Sequence, residues 1–209
     1  MRMRMARAVV VPAMLGMLTV GAGAQAPAPD AKMTRAERAE LIDLLNKSQK
    51  EFLDAVESVS DAQWTFKAGP DRWSIGEVAE HLVLAEDGLF GTATKTLAGP
   101  ADDKWTATVG KTDLLKRALP NRTTKVDAPQ EIRPRGDMTR AQVMARFKQQ
   151  RARTLAFVQE TEAPLKEHTA PNPFFGAINA HQLLLYIPLH NLRHDQQIAE
   201  VKTAPGYPR

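Results

Sequence analysis

The chain has 209 residues, 28 Lys+Arg against 24 Asp+Glu for a formal net charge of +4, and no cysteine. The lack of cysteine excludes disulfides, thiol nucleophiles and thiolate metal ligands, so any core must stand on apolar burial alone. Arg2, Arg4 and Arg7 supply three of the four excess positive charges, which leaves the rest of the chain at +1 and gives no reason to expect a nucleic-acid partner.

Those three arginines open a segment with the layout of a secretory signal. An uncharged, mostly apolar run follows from Ala8 to Val20, and Ala22-Gly23-Ala24 is a small-x-small cleavage site before Gln25. The apolar run is too short to cross a bilayer as an anchor. Residues 1–24 are therefore predicted to be a signal peptide, and the protein to be exported, periplasmic or extracellular, with no stable membrane anchor after cleavage. A Pro- and Ala-rich stretch, 25–33, is predicted to be flexible. That leaves 34–209 as one domain, ample for a full core.

Within it, four segments carry helix-start signals. Thr34 with Glu37, Ser74 with Glu77 and Thr139 with Gln142 read as capping boxes, and Asn179 with Gln182 is a weaker version. Apolar residues at helical spacing follow each: Leu41, Leu45, Phe52 and Val56 in the first helix, and Ile75, Val78, Leu82 and Leu89 in the second. Val143, Phe147 and Val158 mark the third, and Leu183, Ile187 and Val201 the fourth. No segment alternates as a strand does, so the expected fold is all-α, a four-helix bundle. A short link makes the first two helices antiparallel. The long crossover from Gly99 to Asp137, holding four prolines and one short helical turn over Asp113–Leu119, lets the third run parallel to the second. The order is then up-down-down-up. Basic residues between Arg117 and Arg140 are interspersed with acids and read as a solvated face.

His190 and His194 stand four apart on the apolar stripe of the fourth helix, so their rings stack on one face. His81 lies on the inward side of the second helix. Counting about 1.5 Å of rise per residue, antiparallel packing of these two helices brings the three to a common level. Three imidazoles can hold a metal and leave a position open, as catalytic sites do. Pro188 removes the amide that would bond the Leu184 carbonyl just before His190. His168 and His181 read as peripheral, in or beside a Pro-rich link.

Two stretches resemble the DinB-like family. RWSIGEVAEHLVLAE, with Trp73 and His81, is similar to its second-helix motif, and NPFFGAINAHQLLLYIPLHNLRHDQQIAEVKTAPGYP to its last helix, through His190, Arg193, His194, Gln197 and Ile198. The resemblance runs from Thr34 to about Pro208. It implies a four-helix bundle holding a divalent transition metal, zinc or nickel, on His81, His190 and His194. It further implies hydrolase or thiol-dependent transferase relatives and pairing of two copies through bundle faces.

Around such a site, Glu77 and Tyr186 are the catalytic candidates, each one turn before a histidine. Glu77 also belongs to the Ser74 capping box, and Tyr186 can equally be a core residue. Asn191, Asp195 and Gln197 are candidates to orient the imidazoles. Arg193 reads as facing solvent or pairing with an acid, and the crossover with Trp105 as a wall or lid. Three functions stay open: a metal-dependent hydrolase or transferase of a small molecule, a non-catalytic metal- or ligand-binding envelope protein, and a bundle whose histidines are structural.

Overall fold

A computed structural model describes residues 29–209 except residue 124; the expected signal peptide and residues 25–28 of the 25–33 segment lie outside the described residues. The four expected helices form as α1 (Arg35–Glu57), α3 (Ile75–Leu97), α5 (Arg140–Glu160) and α6 (Ala180–Lys202), with α2 (Asp61–Thr65) and α4 (Lys111–Ala118) as short additions in the links. All four starts are reciprocal capping boxes on Thr34, Ser74, Thr139 and Asn179. Each satisfies amides that a helix start otherwise leaves to water, a contribution of about 1 kcal/mol. A fifth box, Ser60 with Gln63, starts α2 and was not read from the sequence.

Cross-contacts establish the up-down-down-up order. Along α1 and α5, Arg38 donates to the Val158 carbonyl, Phe52 packs on Phe147 and Arg140 reaches Val56, so the two run antiparallel. Glu86 meets Arg151 and Phe90 meets Phe157, so α3 and α5 run parallel. Lys202 donates to the Ala55 carbonyl at one end, and Glu37 faces His181 at the other, which makes α1 and α6 parallel. The packed pairs are α3–α6, α1–α6, α3–α5 and α1–α5. The first two long helices are thus antiparallel but stand across the diagonal, because the link carrying α2 crosses the end of the bundle.

The core is split into two apolar halves. One gathers Leu41, Leu45, Leu184 and Leu185, and the other Phe52, Val78, Phe147 and Ile198. Between them lies a polar layer centred on Arg151, whose side chain is fully buried. Its guanidinium donates to the Leu45 carbonyl (2.6 Å), Ser48 Oγ (2.9 Å), Glu86 Oε2 (3.0 Å) and Asn191 Oδ1 (2.9 Å), reaching the other three long helices. Thr154 Oγ1 donates to Glu86 Oε1.

Two strands correct the expectation of none. β1 (Thr169–Asn172) and β2 (Gly176–Asn179) pair antiparallel, with Thr169 opposite Asn179. Each is only four residues and β1 contains Pro171, so neither carries the alternation that betrays a strand. The turn is set by Asn172, whose Oδ1 accepts the Phe174 and Phe175 amides, and by Gly176 at φ 65°. No helix of the described residues is long and apolar enough to cross a membrane.

Candidate metal centre

Helix α6 is apolar and buried nearly all round from Ala180 to Leu189, and beyond that keeps one buried face carrying Asn191, His194, Ile198 and Val201. His190 and His194 lie at the edge of that face and turn their rings toward α3. Antiparallel crossing brings His81 opposite them. The three Nε2 atoms form a nearly equilateral triangle: 3.3 Å from His81 to His190, 3.1 Å from His81 to His194 and 3.1 Å from His194 to His190.

The outer nitrogens explain what this triangle is for. His81 Nδ1 lies 2.7 Å from the Ile132 carbonyl, and His194 Nδ1 lies 2.7 Å from Gln197 Oε1. A carbonyl only accepts, so the Ile132 oxygen places the His81 proton on Nδ1; Gln197 does the same for His194 through its amide oxygen. The Nε2 atoms of His81 and His194 then turn lone pairs toward the point that His190 Nε2 also faces. A cation bound by imidazoles at about 2.0–2.1 Å in tetrahedral array spaces its donor atoms about 3.3 Å apart, and the triangle fits it. Burial holds all three histidines below the usual imidazole range. For His190 the neighbouring His194, His81 and Arg193 add to this, whereas Ile132 partly offsets it for His81 and Gln197 for His194. Neutral imidazole is the form that ligates.

Trp73 flanks the triangle, 4.9 Å from the His81 ring and nearly parallel to His194 at 6.4 Å. The triangle opens into a cavity of about 1230 Å³ lined by α3, α6, the link from Lys67 to Trp73, the second half of the crossover and the hairpin tip. That crossover is a braced wall. Arg122 binds Glu200 through Nε (2.7 Å) and Nη2 (2.9 Å) and reaches Gln197, while Thr108 receives the Asn179 and Gln182 amides at the start of α6. Trp105 sits in the short 3-10 turn beside Thr108 and is not among the cavity-lining residues, so the wall expected around it is built further on, from Leu119 to Arg133.

Glu77 lines the cavity with both carboxylate oxygens engaged, one by the Ser74 amide (2.8 Å) and one by Lys67 (2.9 Å). Tyr186 stands with its ring 5.9 Å from His190, and burial pushes its phenol up to about 12, so it remains a donor at neutral pH. Of the three residues expected to orient imidazoles, only Gln197 does so. Asn191 turns into the polar layer and donates to both oxygens of Asp195 (3.0 and 3.1 Å), whose carboxyl burial and the Glu51 charge push up to about 8. Arg193 is half-buried, lines the cavity and donates to the Asn121 carbonyl. His181 is not peripheral either, since it is buried within the first turn of α6 beside Glu37.

Two participants escaped the sequence reading. The Ile132 carbonyl is backbone and carries no sequence signal. Glu80, next to His81 and 4% exposed, accepts the consecutive amides of Arg135 (3.0 Å) and Gly136 (2.9 Å), the latter at φ 73°. Successive amides in such a turn form an anion-binding nest, and here the anion is internal. The nest clamps the crossover against α3 and so holds Ile132 on His81.

The DinB superfamily model matches residues 44–198. The uncharacterized protein YuaE of Bacillus subtilis (strain 168) is 25% identical over 163 residues, 76% of this chain and 95% of that protein. Among solved structures, YfiT from Bacillus subtilis, described as a probable metal-dependent hydrolase with an unusual four-helix bundle topology, shares the fold. Its TM-score is 0.52 at 15% identity, covering 86% of this chain and 94% of that one. The family match begins in the first long helix, ends in the last and takes in all three converging histidines, so the chain belongs to the DinB superfamily.

Proposed function

We propose that this protein is an exported metal-dependent hydrolase or transferase of a small molecule, holding a divalent transition metal, zinc or nickel, on His81, His190 and His194. The observation that carries the reading is the Nε2 triangle of 3.1–3.3 Å edges with two of its rings locked by acceptors on the outer side. A divalent cation there supplies Lewis acidity and brings the ionisation of water toward neutral pH. Membership of the DinB superfamily and the fold shared with YfiT support the same reading.

The chain's own groups supply the rest. Ile132 and Gln197 keep their imidazoles in the ligating tautomer, Trp73 packs against the His81 and His194 rings, and the Tyr186 phenol donates to a substrate oxygen beside His190. Glu77 is assigned to its cap and its Lys67 pair. The basic start, apolar run and small-x-small site of residues 1–24 support export.

Elemental analysis of untagged mature protein tests the core of this reading. About one transition-metal equivalent per chain is expected, lost in His81→Ala, His190→Ala and His194→Ala while the helical circular dichroism stays unchanged. Metal-free protein that remains so after incubation with zinc or nickel would refute it.

A further inference from the structure

The cavity beside the histidines has two unlike walls. On the polar one, Arg122, Glu200, Gln197 and His194 are already bonded to one another. The other is an aromatic series running from the mouth to the triad. Phe174, at the hairpin tip, is 51% exposed; the Phe175 ring meets Tyr186 nearly edge-on at 6.2 Å; Tyr186 stands 5.9 Å from His190. Leu89 and Leu183 line the same cavity.

The hairpin tip that carries the first two rings is held firmly. Asn172 captures the amides of both phenylalanines, and Lys111 Nζ, reaching from α4, donates to the Phe175 (3.0 Å) and Ala177 (2.6 Å) carbonyls. A braced turn presenting two adjacent rings at a cavity mouth is preorganised, so an apolar ligand group loses little freedom of the protein on binding. Small-molecule sites commonly pair such an apolar lining with a few fixed polar groups at one end.

We propose that this site selects substrates carrying an aromatic or alkyl group beside the reacting centre, the apolar group lying along Phe174, Phe175 and Tyr186 and the polar centre reaching His190. The proposal rests on the metal-dependent reading above for its chemistry, but its apolar wall is separable from the metal. Discrimination along this wall comes from burial of the apolar group. Each methylene fully buried along the rings raises affinity about fourfold.

Calorimetric titration with butanamide, hexanamide and octanamide, neutral probes of rising length, tests it on zinc-loaded and on zinc-free protein. Octanamide is expected to bind about two-hundredfold more tightly than butanamide. Phe175→Ala should flatten the series about tenfold, and Phe174→Ser, a change at an exposed position that leaves the fold intact, should weaken octanamide severalfold while leaving butanamide unaltered. Equal affinity across the series, or a slope that neither variant changes, overturns the proposal. Bound zinc with a flat series would discard the substrate class and keep the metal centre; the slope without any zinc uptake would keep the apolar cleft and discard the catalytic reading.

Discussion

Glu80 shows how a single side chain can govern a site it does not touch. Its carboxylate accepts two backbone amides of the crossover, whose Ile132 carbonyl fixes the His81 tautomer. Glu80→Gln presents a donor to one of those amides, so the clamp should open and zinc affinity fall 10–100-fold, the range for loss of a ligand-orienting partner. Competition against a chromogenic chelator measures this; affinity within twofold of the parent would show that the nest does not reach the metal. His181 gives a pH prediction. Burial pulls it down to about 4, and its neighbours divide: Glu37 and Glu40 favour the charged ring, Lys166 and Lys116 oppose it. The unfolded chain takes up this proton near pH 6.5 and the folded chain only near 4. The stability it contributes is therefore complete above pH 6.5 and is lost as pH falls toward 4, about 3 kcal/mol in all. Urea unfolding of the parent and His181→Leu between pH 7.5 and 4.5 should show a shallower acid slope in the variant.

At the scale of elements, capping boxes at 34–37, 74–77, 139–142 and 179–182 made the helix starts legible, because a cap is written within four residues. The fourth of these boxes also starts the helix that holds two of the three histidines. The short α4, expected over 113–119, forms two residues earlier, at Lys111. The α2–α3 contact has no such signature. Gly76 in the first turn of α3 lies against the Trp64 indole, where a methyl would come within 2.9 Å of Cδ1 and Cε2 and closer to Nε1. Arg140 stacks over that indole at 4.9 Å, which limits its retreat. Gly76→Ala gains about 1 kcal/mol of helix propensity and meets overpacking of about 1–3 kcal/mol. A net fall in the thermal midpoint is expected by calorimetry; a rise would show the indole moves freely.

For the whole molecule, the Arg151 layer ties the four long helices together midway through the bundle. Replacing Arg151 alone by Leu strands the buried Glu86 carboxylate and should cost about 3–5 kcal/mol; Glu86→Leu strands the guanidinium similarly. The double variant leaves no uncompensated charge and is expected to be destabilised by much less than the sum of the two. Guanidinium unfolding of the three variants gives the coupling directly. Additive losses would mean that the surrounding acceptors, Leu45, Ser48 and Asn191, carry Arg151 without Glu86.

Taken by itself, the sequence determined the helix starts, the bundle order and the three histidines that share a level. Caps, apolar periodicity and i, i+4 spacing are local, and the long crossover left one sensible direction for the third helix. What only the tertiary structure decided lies across the chain: the nest joining Glu80 to Gly136 over 56 residues, the Arg151–Glu86 pair over 65, and the hairpin whose strands are too short to announce themselves. Each of these depends on which polar groups become buried together, and burial is settled only once the helices have packed.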